Sequence, residues 1–203
     1  MNAWGFIVAA YLLGSLSFGI IVCKLFGLPD PRTVGSGNPG ATNVMRSGKK
    51  AAALLTLLGD AGKGWLAVWL AQQLDLTTAW VCAVALAVFL GHLYPLYYGF
   101  KGGKGVATAA GVLLALSPWL GVSVLATWVF AFFMWRMSSL SALIASSLAP
   151  VYAAALFGFN LVTGTVLLLS ALLVWRHQSN IRKLLDGTEA GFGKPKSGDA
   201  PPQ

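Results

Sequence analysis

Seven apolar runs occupy most of this 203-residue chain, at 3–25, 51–74, 78–98, 106–116, 119–135, 139–157 and 161–175. About 20 helical residues cross the hydrocarbon core of a bilayer, and backbone exposed to lipid must close its own hydrogen bonds. The runs therefore restrict the chain to a bundle of membrane-spanning helices. Composition agrees, with 57% hydrophobic and 10% charged residues, where a soluble domain carries about 25% charged residues.

The count of spans follows from length and loop charge. The fourth run would be roughly 17 Å long as a helix, tolerable if protein shelters it beside a polar cavity. Ser117-Pro118 separates it from the fifth run, because proline disfavours a helical residue before it. Fusing the two would leave 30 residues for one crossing, so seven helices with a short fourth are expected. A five-helix arrangement, with the second run re-entrant, is the alternative. Loops after odd runs carry Arg32, Arg46, Lys49, Lys50, Lys101, Lys104, Arg136, Arg176, Arg182 and Lys183, and loops after even runs carry no Lys or Arg. That segregation predicts an external N-terminus and a cytoplasmic C-terminus. The first run lacks a basic flank before it and is too long for a signal-peptide core, so it reads as a retained span. Residues 1–193 read as one transmembrane domain, and 194–203, rich in Pro, Lys, Ser and Gly, as a disordered cytoplasmic tail.

A net charge of +8 would suggest nucleic acid in a soluble protein. Here positive-inside bias and anionic head groups account for it, and no nucleic-acid-binding motif is present. Cys23 and Cys82 lie inside apolar runs without Cys or His partners at ligand spacing, which argues against a disulfide framework or a metal site. The six acidic residues do not cluster, so neither a divalent metal nor any other cofactor is expected.

Three polar islands interrupt the apolar chain, at 35–46, 91–108 and 177–189, all on the predicted cytoplasmic side. In the first, Gly35, Gly37 and Gly40 leave backbone N–H groups unshielded, as in anion-binding nests. Ser36, Asn38, Thr42 and Asn43 add neutral donors, and Arg46 adds a planar cation suited to phosphate. In the second, Phe100-Lys-Gly-Gly-Lys-Gly105 runs into the fourth apolar segment. A glycine-rich turn feeding a helix start aims N–H groups and the positive end of the helix dipole at an anion, with Lys104 as a point charge. It is not a nucleotide-binding P-loop: Tyr98 and Gly105 stand where that motif needs Gly and Ser or Thr.

In the third island, His177 and Asn180 are i, i+3 neighbours on one helical face, with Glu189 beyond. Asp60 and Lys63, one turn apart in the second run, read as an internal pair holding helices near the site. His92 ends an apolar run and reads equally as a structural or a catalytic histidine. The segment Arg136-Met-Ser-Ser-Leu-Ser141 offers further polar groups to complete a pocket.

The three islands, read as SGNPGATNVMR (36–46), GHLYPLYYGFKGGKGVAT (91–108) and HQSNIRKLLDGTE (177–189), resemble the motifs of the bacterial acyl-phosphate:glycerol-3-phosphate acyltransferases, the PlsY family. The resemblance covers essentially residues 1–190, with Gln178 as a departure where many members carry arginine. It implies a seven-helix enzyme of the bacterial inner membrane with its active site on the cytoplasmic side. The implied reaction moves a fatty acyl group from acyl phosphate to the 1-hydroxyl of sn-glycerol 3-phosphate, giving lysophosphatidic acid and phosphate, the first step of phospholipid synthesis. Membrane lipid and a functional link to the acyl-phosphate-forming enzyme come with it.

Under that reading, Ser36, Gly37, Asn38, Gly102, Gly103, Lys104 and Gly105 hold acyl phosphate. Arg46, Lys104, Ser141, His177 and Asn180 hold glycerol 3-phosphate, and Ser36, Arg46, Lys104, His177 and Asn180 are the expected catalytic set. Asn43, His92, Thr108 and Glu189 are further candidates. The HxxxxD signature of other glycerophosphate acyltransferases is absent, since Tyr97 follows His92 at +5 and Arg182 follows His177. A phosphate transporter is the competing class, against which stand the missing internal repeat and the ligands gathered at one edge.

Overall fold

The structure, a computed structural model, describes residues 3–191. The expected tail at 194–203 lies outside the described residues. All regular structure among the described residues is helical: α1 (Ala3–Gly14), α2 (Phe18–Leu25), α3 (Ala41–Met45), α4 (Lys50–Gln73), α5 (Thr78–Leu93), α6 (Val106–Leu116), α7 (Pro118–Trp135), α8 (Ser138–Phe157), α9 (Leu161–Arg176) and α10 (Gln178–Leu185). A 3-10 turn, Leu96–Tyr98, follows α5.

Four segments are each long and apolar enough to cross a membrane: α4, α5 through Tyr98, α7 and α8. Two bent pairs, α1 with α2 and α9 with α10, raise that number to six, and α6 is a shorter apolar helix. The boundaries of α6 follow from local chemistry. Gly105 opens it in a left-handed conformation (φ +89°), and Ser117, extended, closes it and caps α7 by accepting from the Leu120 N–H. Pro118 occupies the first position of α7, where its missing N–H costs nothing. α6 and α7 pack against each other as separate helices, so the two runs do not fuse into one crossing.

The first apolar run departs from the continuous span expected for 3–25. It breaks at residues 15–17, and the two halves meet at 44°. The break has a physical use: the freed Leu16 carbonyl accepts a 2.6 Å hydrogen bond from Lys63 Nζ on α4. Ser15 and Ser17 are buried around it. An apolarity count sees a continuous run there and misses the kink.

The bundle core rests on close backbone approach. α4 crosses α6 where Gly64 faces Thr108 and Gly111 faces Ala61; a Cβ on Gly111 would stand 1.9 Å from the Ala61 carbonyl oxygen. α1 meets α5 the same way through Gly14 and Gly91. In lipid, helix association depends on this kind of packing, since chain burial gains little over lipid contact. Phe89, Leu93, Val88, Val112 and Leu120 fill the space between. The outward faces of α4, α7 and α9 carry Leu54, Leu58, Phe130, Phe133 and Leu167, exposed as a lipid-facing surface requires. Gly111→Val forces α4 and α6 apart, and it is expected to destabilise the fold by about 3 kcal/mol, read as a lower thermal midpoint of the purified protein in detergent.

Candidate functional site

Asn43 builds the first island. Its Nδ2 donates to the carbonyls of Pro31 (2.8 Å) and Val34 (3.1 Å), and its Oδ1 accepts from the Ser36 N–H at 2.9 Å. One buried amide thus staples the loop from both ends. Gly35 (φ +60°) and Gly37 (φ +69°) flank Ser36 in a conformation other residues resist. Ser36 is left exposed at the tip, with Gly37 beside it and Asn38 half-buried. Arg46 stands exposed after α3. The loop is pinned outward by an Asp30–Arg32 ion pair at 2.7 Å, with the Arg32 guanidinium 5.8 Å from the Tyr98 ring centre. Hydrogen bonding to Arg32 holds the Asp30 carboxyl below its ordinary range.

The second island turns back under α5. Gly99 and Phe100 both take positive φ, and the Gly103 N–H donates to the His92 carbonyl at 3.2 Å. The carbonyls of Gly102 and Gly103 accept from the Arg176 guanidinium at 3.1 to 3.3 Å. The glycine loop therefore spends its Gly103 N–H internally. What it offers an anion is the backbone from Lys104 into the first turn of α6, whose N–H groups have no partners within the helix.

The third island closes over Lys104. His177 is the hinge residue between α9 and α10, which meet at 60°, so the single helical face expected for His177 and Asn180 is a helix start instead. His177 is buried, and its Nδ1 donates to the Leu173 carbonyl at 2.8 Å. Since a carbonyl only accepts, Nε2 carries the lone pair. Burial, with Lys104 and Arg176 adding to it, pushes the His177 ring down to about 4, so it is neutral at ordinary pH.

Lys104 Nζ donates to Asn180 Oδ1. Asn180 Nδ2 in turn donates to Glu189 Oε1 at 2.7 Å, and Ser139 donates to the same oxygen at 2.5 Å. Burial lowers the Lys104 ammonium from its ordinary value; Glu189 opposes this, while Lys183, Arg176 and Arg46 add to it. Arg46 is thus close enough to act on Lys104 through its field. The first island also reaches α8, where Thr42 Oγ1 and Ser138 Oγ lie 3.1 Å apart.

Segments far apart in the chain therefore share one end of the bundle. Direct bonds join Lys104, Asn180 and Glu189, with Arg46 and His177 alongside. Ser141 and Thr108 are fully buried beneath; Ser141 Oγ donates to the Met137 carbonyl, and Thr108 Oγ1 has no hydrogen-bond partner among the described residues. Ser36 is tied through its N–H to Asn43 of its own loop. Asn43, expected to be a donor to ligand, has both amide atoms engaged with the loop. His92 lies under the glycine loop and touches Lys63 and Asp60.

Sequence reasoning passed over Arg176, and it offered Ser139 only as part of the polar segment 136–141. A basic residue at a helix end looks like a membrane anchor, and only the position of Arg176 immediately before the His177 motif could have marked it.

The described residues make a polytopic helical membrane protein with cations, helix-start N–H groups and neutral acceptors gathered at one end of the bundle. That is the class of the fold and site, and known proteins narrow it. The family model described as glycerol-3-phosphate acyltransferase matches residues 4–187. A glycerol-3-phosphate acyltransferase of Methylobacillus flagellatus is 67% identical over 96% of this chain and 99% of its own. One of Thiobacillus denitrificans is 59% identical over 93% and 96%. The crystal structure of PlsY (YgiH), an integral membrane glycerol 3-phosphate acyltransferase, in its glycerol 3-phosphate form, superposes with a TM-score of 0.89. It is 38% identical and covers 95% of this chain and 96% of the PlsY chain. The chain belongs to the glycerol-3-phosphate acyltransferase family, and it is an acyltransferase.

The depressed His177 value carries a pH prediction. Its folded value lies below the unfolded value near 6.5, so the folded protein refuses a proton that the unfolded chain accepts. Stability is full above about pH 6.5 and falls as the pH drops from there toward 4. The histidine ring signals in NMR should show His177 neutral down to about pH 5; titration near 6.5 would contradict its burial.

Proposed function

We propose that this protein transfers a fatty acyl group from acyl phosphate to the 1-hydroxyl of sn-glycerol 3-phosphate, releasing lysophosphatidic acid and inorganic phosphate. The setting is the bacterial inner membrane, crossed seven times by one domain over 1–193, with the N-terminus outside and the site and C-terminus on the cytoplasmic side. Family membership supports the acceptor, and the related PlsY has been crystallised in glycerol 3-phosphate and lysophosphatidic acid forms at 38% and 37% identity. The observation that carries the mechanism is Lys104: a partly desolvated cation, held by Asn180 and Glu189, within the field of Arg46. Such a charge offsets the repulsion between two phosphates brought side by side.

The acyl phosphate's phosphate rests against Ser36, Gly37, Asn38 and the backbone from Lys104 through Gly105 into the first turn of α6, while Gly102 and Gly103, expected to touch it, are engaged by His92 and Arg176 and shape the loop behind it. Glycerol 3-phosphate is held by Arg46, Lys104, Ser141, His177 and Asn180. The 1-hydroxyl oxygen attacks the acyl carbon, the carbon–oxygen bond to phosphate breaks, and phosphate leaves with the bond electrons. Acyl phosphate is an activated mixed anhydride, so positioning and charge stabilisation supply most of the rate. The neutral Nε2 of His177 accepts a hydrogen bond from the hydroxyl and aims it. A ring with a value of about 4 is a weak base, and a substrate phosphate oxygen takes the proton instead.

Two variants test this. Lys104→Ala is expected to lose transfer almost entirely while staying folded; ordinary turnover would refute its role between the phosphates. His177→Ala is expected to raise KM for glycerol 3-phosphate, whereas a loss on the order of 10²–10⁴ in kcat at unchanged KM would make it the general base. The activity itself is read with purified protein in detergent. Phosphate release should require both substrates, and acyl-CoA should not replace acyl phosphate; release with neither dependence, or none at all, overturns the assignment.

A further inference from the structure

The glycine loop is gripped from two sides by residues outside the proposed substrate contacts. From one side the Arg176 guanidinium binds the carbonyls of Gly102 and Gly103 and stands 5.5 Å over the Tyr94 ring centre. From below, His92 binds the loop through its carbonyl and sets its ring against Gly103. A Cβ on Gly103 would lie 2.2 Å from His92 Nε2, and one on Gly102 would lie 2.1 Å from the His92 carbonyl oxygen. Only glycine fits on that floor.

The ring of His92 is itself held from α4. Lys63 Nζ donates to the Leu16 carbonyl at 2.6 Å, lies 2.8 Å from Asp60 Oδ1, and lies 3.0 Å from His92 Nδ1. An ammonium has protons to give and no lone pair, so it meets Asp60 Oδ1 as an ion pair and can only donate to His92 Nδ1. Nδ1 of His92 therefore accepts, and the ring proton sits on Nε2, the edge that faces Gly103. Asp60, Lys63 and His92 are all buried inside the bundle. Two helices can be joined more cheaply by apolar residues, and ionised side chains in a span mark a specific use.

We propose that Asp60, Lys63 and His92 form a buried prop that, with Arg176 as the opposing clamp, sets the position of the glycine loop and hence of Lys104. These are positioning residues: they act on substrate through the loop. The prop also ties that loop to the break between α1 and α2, since the Leu16 carbonyl accepts from Lys63. This inference rests on the reading of the loop as a phosphate site.

The test is a double-mutant cycle on the full-length enzyme in detergent, with KM and kcat for both substrates and a thermal melt for each variant. Gly103→Ala and His92→Ala are each expected to raise KM for a phosphate-bearing substrate about tenfold or more, with kcat much less affected. Because the added methyl collides with the removed ring, the pair should be no worse than the poorer single variant. His92→Asn, whose Oδ1 can take the place of Nδ1 before Lys63, should recover KM to within about threefold of wild type. Asp60→Asn with Lys63→Met, which removes both charges together, should fold and show the same KM defect. Multiplying effects in the cycle, or melts lowered with KM unchanged, would overturn the prop. Failure of the underlying reading looks different: Gly103→Ala would then leave KM for both substrates at wild type.

Discussion

A lysine half out of water at the rim of a membrane protein needs acceptors that do not neutralise it, and the bond from Lys104 to Asn180 meets that need. An amide oxygen orients the ammonium without cancelling its charge. Glu189 supplies the missing negative charge one bond further away, by fixing the Asn180 amide so that its oxygen faces Lys104. Were Glu189 in direct contact, the cation would be paired and of little use to a substrate phosphate. Much of the third island's geometry follows: the α9–α10 bend at His177 brings Asn180 toward the loop, and Ser139 steadies the carboxylate from α8. Burial, with a smaller contribution from the neighbouring cations Lys183, Arg176 and Arg46, lowers the Lys104 value, and an anion bound beside it would relieve both penalties.

The bundle below serves that rim. Close crossings at Gly64 and Gly111 bring α4 against α6, and those at Gly14 and Gly91 bring α1 against α5. α6 is short because it begins at the site, at Gly105, and not at the far edge of a bilayer crossing. Its start points into a polar rim, which is where an abbreviated apolar helix is tolerated.

Where the elements lie was largely legible in the chain. Apolar runs bounded by Gly105 and by Ser117-Pro118 gave α6 its limits to the residue, since composition changes sharply there. The break at 15–17 was hidden, because serines inside an apolar run look ordinary until Lys63 is seen to need a carbonyl. The site was legible as a set of islands and less so as a set of roles. Arg46, Lys104, His177 and Asn180 gather at one end of the bundle. Asn43 proved to be a staple, because an amide side chain reads identically whether it meets ligand or backbone. Arg176 escaped, and the role of His92 stayed open, for the same reason: their value lies in which carbonyl or glycine they touch, and spacing along a chain does not encode that.

The central claim is that two phosphates occupy this rim together, with Lys104 between them. Equilibrium binding of glycerol 3-phosphate, measured with and without a saturating non-hydrolysable acyl phosphonate, tests it most directly. Simultaneous binding, with glycerol 3-phosphate still saturating its site when the phosphonate is bound, is the predicted result. Mutual exclusion, each ligand displacing the other, would mean a single phosphate pocket and would contradict the account.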